Sequence, residues 1–189
     1  MTLKKTVLIV AILNISYFFV EFSVANKILS VSLFADSIDF LEDTAVNILI
    51  LLAVGWSLKA RANLGYLFSS LLLIPGIAVL WSAWQKFQNP ISPESFTLGL
   101  TGFGALVINV SCALLLVKFR KETESLIKAA YFSARNDAFA NIAIIGASVV
   151  SIFWVSAWPD LIVGLGILSL NLDSATEVLK AARREKALS

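Results

Sequence analysis

There is no histidine anywhere in the 189 residues, and only one cysteine, Cys112. The first absence removes the commonest general base and the commonest transition-metal ligand together. The second rules out an internal disulfide and leaves little for redox chemistry. Charge is also scarce: Asp, Glu, Lys and Arg make up 15% of the chain, against 58% hydrophobic residues and a mean hydropathy of +0.84. A soluble domain is about a quarter charged and under half apolar. The composition therefore excludes an ordinary soluble domain and points to an integral membrane protein. No aromatic residues interleave the basic tail "KAARREKALS", so nucleic acid is not an expected partner; the tail reads as an orientation signal that touches lipid headgroups.

What is present is long apolar runs. A helix needs about 20 mostly apolar residues to cross the hydrocarbon core. Six segments qualify, near 6–25, 31–56, 64–84, 95–117, 129–153 and 157–179. They are separated by "NKILS", "SLKARAN", "QKFQNPISPES", "KFRKETESLIK" and a minimal "SAWP". Pro90 and Pro93 break the third loop, and Pro75–Gly76 should kink or loosen the third segment. With the N-terminus inside, twelve cations fall on the inner side: Lys4, Lys5, Lys59, Arg61, Lys118, Arg120, Lys121, Lys128, Lys180, Arg183, Arg184 and Lys186. Only Lys27 and Lys86 fall outside, while Arg135 lies within the fifth segment. This positive-inside bias supports six helices with both ends cytoplasmic, in the cytoplasmic (inner) membrane. Asn14 and Glu21, and the lack of an A-x-A site, argue against reading the first segment as a cleaved signal peptide. The expected organisation is an all-α, multi-pass membrane domain over 1–180 and a short basic cytoplasmic tail over 181–189.

Against this background "FADSIDFLED" stands out, with Asp36, Asp39, Glu42 and Asp43 in ten residues. An Asp at a helix centre in a bilayer costs about 2.5–3.5 kcal/mol, so such groups face an interior or a wet cavity. Asp39, Asp43 and Asn47 are spaced i, i+4, i+8 and share one helix face, and Asp36 joins the stripe. In "SARNDAFAN" of the fifth segment, Ser133, Asp137 and Asn141 repeat that spacing. At 1.5 Å per residue, Asp39 and Asp43 lie about 12–18 Å below the outer surface, and Asp137 about 18 Å below it. The stripes meet near the midplane if the two helices are neighbours, the level at which transporters hold substrate. Three carboxylates together in low dielectric cannot all stay ionised and unpaired. They hold protons or a cation, and a divalent metal displaces protons when it binds. The fourth ligand is Ser133, Asn141, Asn47 or water. An all-oxygen site leans toward hard ions such as manganese, although zinc also accepts carboxylates.

Other polar residues read more plainly. Asp36 suits helix packing or an outer vestibule. Glu42 points about 100° from Asp43, toward a polar group on another helix. Arg135 lies about 200° round from Asp137 and faces away from the site. Asn14 and Glu21, i and i+7, either line the pathway or hydrogen-bond within the bundle. Asn109 reads as interhelical glue. Gly99, Gly102 and Gly104 suggest close packing, and Asp160 after Pro159 a helix N-terminus.

Several of these stretches are similar to the cation diffusion facilitator family of metal/proton antiporters, over nearly the whole chain. "SVSLFADSIDFLEDTAVN" resembles the family's second helix, whose two ligands map to Asp39 and Asp43. "FSARNDAFANIAII" resembles the fifth, whose ligands map to Ser133 and Asp137, and "NPISPE", Asn109 and "WPDLIVGLGILSL" resemble its flanking segments. The resemblance implies a six-helix bundle, a tetrahedral midplane site, alternating access and a homodimer. Its implied cargo is zinc first, with manganese, cobalt, iron and cadmium open. No separate cofactor is implied: the partners are the metal ion, protons, the lipid bilayer and a second copy of the chain. The chain departs from the family in lacking a ligand histidine, a histidine-rich loop between helices four and five, and a cytoplasmic metallochaperone-like domain. Two other readings compete. An intramembrane enzyme would use the same acids, but the Gly-x-Gly-Asp of a protease dyad is missing, as are the Asp-Gly and Ala-Arg of a lipid phosphotransferase. A non-transporting subunit would use the acids for packing.

Overall fold

A computed structural model describes residues 2–53, 76–119 and 125–170, the side chains of 125–129 excepted. Among these residues there are six helices and no strand. They are α1 (Leu3–Ile28), α2 (Val31–Ala53), α3 (76–88), α4 (Ser95–Leu116, tightening into a 3-10 turn at Val117–Phe119), α5 (Ser125–Phe153) and α6 (Trp158–Leu170). The helices extend past the expected ends where amphipathic residues continue the apolar run: α1 runs on through Asn26–Ile28, and α3 through Gln85–Gln88. The second loop, residues 64–75 of the third segment with Pro75, and the tail 181–189 lie outside the described residues.

The bundle is inverted relative to a soluble protein. Phe96 on α4 is 74% exposed and Phe139 on α5 is 64% exposed, while Asn14, Glu21, Asp36 and Asn141 are fully buried. A surface of this kind suits a solvent as apolar as the side chains it meets, which is the lipid chain region. The α1, α4 and α5 helices are long and apolar enough to cross a membrane; α2, of similar length, carries four acids instead. Trp84, Phe87 and Trp158 make a contiguous aromatic group where α3 ends and α6 begins, as rings do at a membrane–water boundary. The chain is thus an all-α, polytopic membrane protein.

α1 packs chiefly on α2, and α4 on α5; the two hairpins then meet face to face. Two apolar clusters form along the bundle. One, at the α1–α2 turn, draws on Ala25, Leu33, Val79, Leu98, Ile144 and Leu161. The other, toward the chain's start, draws on Val7, Val10, Ile50, Leu116, Ala130 and Ala134. The polar side chains lie in the layer between. Close approach makes this seam possible: a Cβ at Gly102 of α4 would sit 2.9 Å from Ile144 of α5, and one at Gly104 would overlap the Tyr17 hydroxyl of α1. That hydroxyl donates to the Thr101 carbonyl at 2.6 Å, tying α1 to α4.

The start of α4 explains the Pro-rich third loop. Asn89–Glu94 is irregular, and Glu94 caps α4 by accepting from the amides of Phe96 at 2.9 Å and Thr97 at 2.6 Å. Hydrogen bonds from Thr97 hold the Glu94 carboxyl below its ordinary value of 4.5. A lowered value means the cap contributes fully above the unfolded value and is lost as pH falls through the folded one. Protection of the first α4 amides, measured against the intrinsic exchange rate at each pH, is therefore expected to fall on acidification below about pH 4.5. Glu94→Gln should show lower protection at neutral pH and little further loss of protection with acid.

Candidate metal site at the helix seam

α2 brings three acids to the seam on successive turns, and α1, α4 and α5 supply the groups that meet them. Asp43, 4% exposed, is the most connected. Its Oδ1 accepts from the Ser133 hydroxyl of α5 at 2.8 Å, and its Oδ2 from the Asn14 amide of α1 at 3.4 Å. Asn14 in turn accepts from the Cys112 thiol of α4 at 3.5 Å. One carboxylate therefore joins three helices directly and a fourth through Asn14. Asp39, 7% exposed, has Asp137 of α5 as a like-charged neighbour, and Ser133 lies one turn before Asp137 on the same helix. The i, i+4 spacings read from the sequence thus put Asp39, Asp43, Ser133 and Asp137 in one chamber. Among the described residues, no three acids or thiols converge tightly enough to clasp a metal ion as they stand.

The remaining ligand candidates separate. The Asn47 amide donates to the Asp43 carbonyl of its own helix at 2.7 Å, leaving its buried Oδ1 without a donor. Asn141 turns instead to a second polar group nearer the α1–α2 turn. Its amide donates to Asp36, and its oxygen accepts from Asn109 of α4 at 3.0 Å. Asp36 is fully buried in that group, not in an open vestibule. Glu21 of α1 faces it, and neither Glu21 oxygen receives a hydrogen bond from a donor group. So Asn14 and Glu21, on one face of α1, serve different levels: Asn14 the Asp43 chamber, Glu21 the Asp36 group. Glu42 is half-buried and has no hydrogen-bond partner among the described residues.

Arg135 is exposed, with its guanidinium 4.9 Å from the Phe132 ring centroid and 3.3 Å from the Asn136 oxygen. It lies away from the chamber, as the helical angle required. Arg135→Gln is expected to retain most wild-type flux in reconstituted vesicles; complete loss would mean that the guanidinium acts on the site from a distance.

Sequence reasoning missed Cys112. It lies i+3 from Asn109 on the inward face of α4, and that spacing was the available signal. Asp160 was also misplaced in role. It does not serve only its own helix, because its carboxylate caps the start of α2.

The profile of the cation efflux transmembrane domain matches residues 7–185. Two curated proteins, both named zinc transporter ZitB, from Escherichia coli (strain K12) and Shigella flexneri, are each 25% identical over 174 residues, covering 81% of this chain and 55% of theirs. The chain thus spans about half the length of the curated relatives it matches. With the profile covering nearly all of a six-helix bundle whose acids line one seam, the chain belongs to the cation efflux, or cation diffusion facilitator, family.

Proposed function

We propose that this chain is a six-helix unit that moves a divalent transition-metal cation across a membrane in exchange for protons. Zinc is the first candidate, after the relatives' names, with manganese, cobalt, iron and cadmium behind it. The observation that carries the reading is the meeting of buried Asp39 and Asp43 with half-buried Ser133 and Asp137, bounded by apolar packing on either side. Acids without a cationic partner among the described residues in such a place need a cation or protons, and competition between the two is the exchange. A divalent ion supplies the charge that lets the aspartates draw together. As it leaves, they take up protons. Ser133 is the neutral fourth ligand favoured here, because its hydroxyl already donates to Asp43 and it lies one turn before Asp137 on α5; the orphaned oxygen of Asn47, one turn along α2 from Asp43, stands next.

The inner-side excess of Lys and Arg supports a cell-membrane protein with both ends in the cytoplasm, and export is the direction that the family resemblance implies. A homodimer remains the family's expectation for this chain. The test is metal-driven proton flux in proteoliposomes, scanned over zinc, manganese, cobalt, iron, cadmium and magnesium. Flux with a clear metal order, zinc at its head, is the expected result. Folded protein that moves no proton with any metal would overturn the reading in favour of a packing subunit.

A further inference from the structure

We propose that Asp160 of α6 is a positioning residue for the metal site, setting the depth and rotation of α2 from its far end. The carboxylate is fully buried. Its Oδ1 accepts from the Ser30 hydroxyl at 2.6 Å, the Ser32 hydroxyl at 2.6 Å and the Ser32 amide at 3.1 Å. Its Oδ2 accepts from the Val31 amide at 2.9 Å and the Lys86 ammonium of α3 at 2.6 Å. The Ser30 oxygen accepts from the Leu33 amide at 3.1 Å. The first three amides of α2, which a helix leaves without partners, are thus all satisfied, two of them by a side chain from another helix. Lys86 also donates to the Leu29 carbonyl at 2.6 Å, where the chain turns from α1 into α2 in the left-handed conformation (φ 54°).

One side chain therefore binds α2 to α3 and α6, and through Lys86 to the end of α1. Gly164, one turn along α6, approaches the same turn of α2 so closely that a Cβ would lie 2.8 Å from the Ser32 nitrogen. These are two contacts on one face of α6, and they hold the Val31–Ser32 turn against sliding and rotation. Asp39 lies seven residues further along α2, about 10 Å from that turn, so Asp160 cannot touch a metal there. It acts through the helix. Binding sites need their groups held to within about 0.5 Å, and α2 carries both Asp39 and Asp43. Loosening its anchored end moves two ligands together relative to Asp137.

The inference rests on the transport reading, and the test keeps the two apart. Asp160→Asn alone would strand a buried lysine, so the informative variant is Asp160→Asn with Lys86→Met, which removes both charges at similar volume. Lys86→Met alone leaves the carboxylate with its four other donors. Zinc affinity by calorimetry, zinc KM in vesicles and amide exchange at Val31–Leu33 are measured on all three proteins. The double variant is expected to fold, to exchange faster at Val31–Leu33, and to bind zinc about tenfold or more weakly, as when an outer support of a metal site is lost. Lys86→Met alone should lose stability, as a buried carboxylate without its cation does, but keep zinc affinity and exchange at Val31–Leu33 near wild type, because the four other donors hold α2 in place. A double variant with wild-type zinc affinity and KM overturns the proposal. So does a Lys86→Met protein as impaired as the double. Wild-type protein that binds no divalent metal overturns the transport reading instead. Exchange then decides the anchor: unchanged rates at Val31–Leu33 in the double variant overturn it, and faster rates support it.

Discussion

Asp43→Asn is expected to abolish metal-driven flux while leaving the protein folded. On the proposed reading the substitution removes a charged ligand and a proton-accepting oxygen but keeps the side chain's size. Ser133 can still donate to the remaining carbonyl oxygen, as it does to Oδ1 at 2.8 Å. Asn14, which now donates to Oδ2 at 3.4 Å, would face an amide instead, and a rotation of its own amide restores a match at the cost of its bond with Cys112. The net effect on stability is one weakened neutral hydrogen bond, on the order of 1 kcal/mol. The effect on function is far larger: at least about a 100-fold fall in flux, beyond what loss of an outer-shell partner produces. Proteoliposome flux, paired with thermal unfolding of the same preparation in detergent, checks both halves. Full flux from this variant would remove Asp43 from the site and leave its contacts as packing alone.

The largest expected effect on stability is at Gly164. An added methyl would meet the Val31 carbonyl carbon, the Val31 Cγ1 and the Ser32 nitrogen, all at 2.8 Å. Two of these are backbone atoms in a turn pinned by Asp160, so neither helix can relax by a side-chain rotation. Gly164→Ala should cost about 1–3 kcal/mol, as overpacking of a close-packed core does. The matched control is Gly166→Ala on the same helix, where nothing lies within 4 Å and the change to a better helix former should be neutral or mildly stabilising. Thermal unfolding in detergent, read as the difference between the two variants, is the measurement. Equal melting temperatures would mean that α6 sits further from α2 than this packing requires.

Long apolar runs and their punctuation sufficed for the architecture. The bilayer permits only a closed set of backbone hydrogen bonds, so twenty-residue apolar segments become helices whatever their neighbours do. The shared chamber was legible for the same reason: i, i+4 spacing fixes a helix face before any packing occurs, and an acid in lipid must find the interior. Asp39, Asp43, Ser133 and Asp137 were named on those grounds.

What the sequence could not decide was which polar residue meets which, because that depends on the rotation and depth of one helix against another. Asn141 carries the same periodic signal as Asp137, yet it reaches Asp36 and Asn109 instead. Asn14 and Glu21 share a face of α1 but serve different levels of the bundle. Lys86, counted as a loop charge, is buried against Asp160, a residue 74 positions away. Spacing along one helix is local and periodic, so sequence determines it. Contacts between helices are long-range and are fixed by where small residues such as Gly102, Gly104 and Gly164 let backbones close together, and only the tertiary structure decides those.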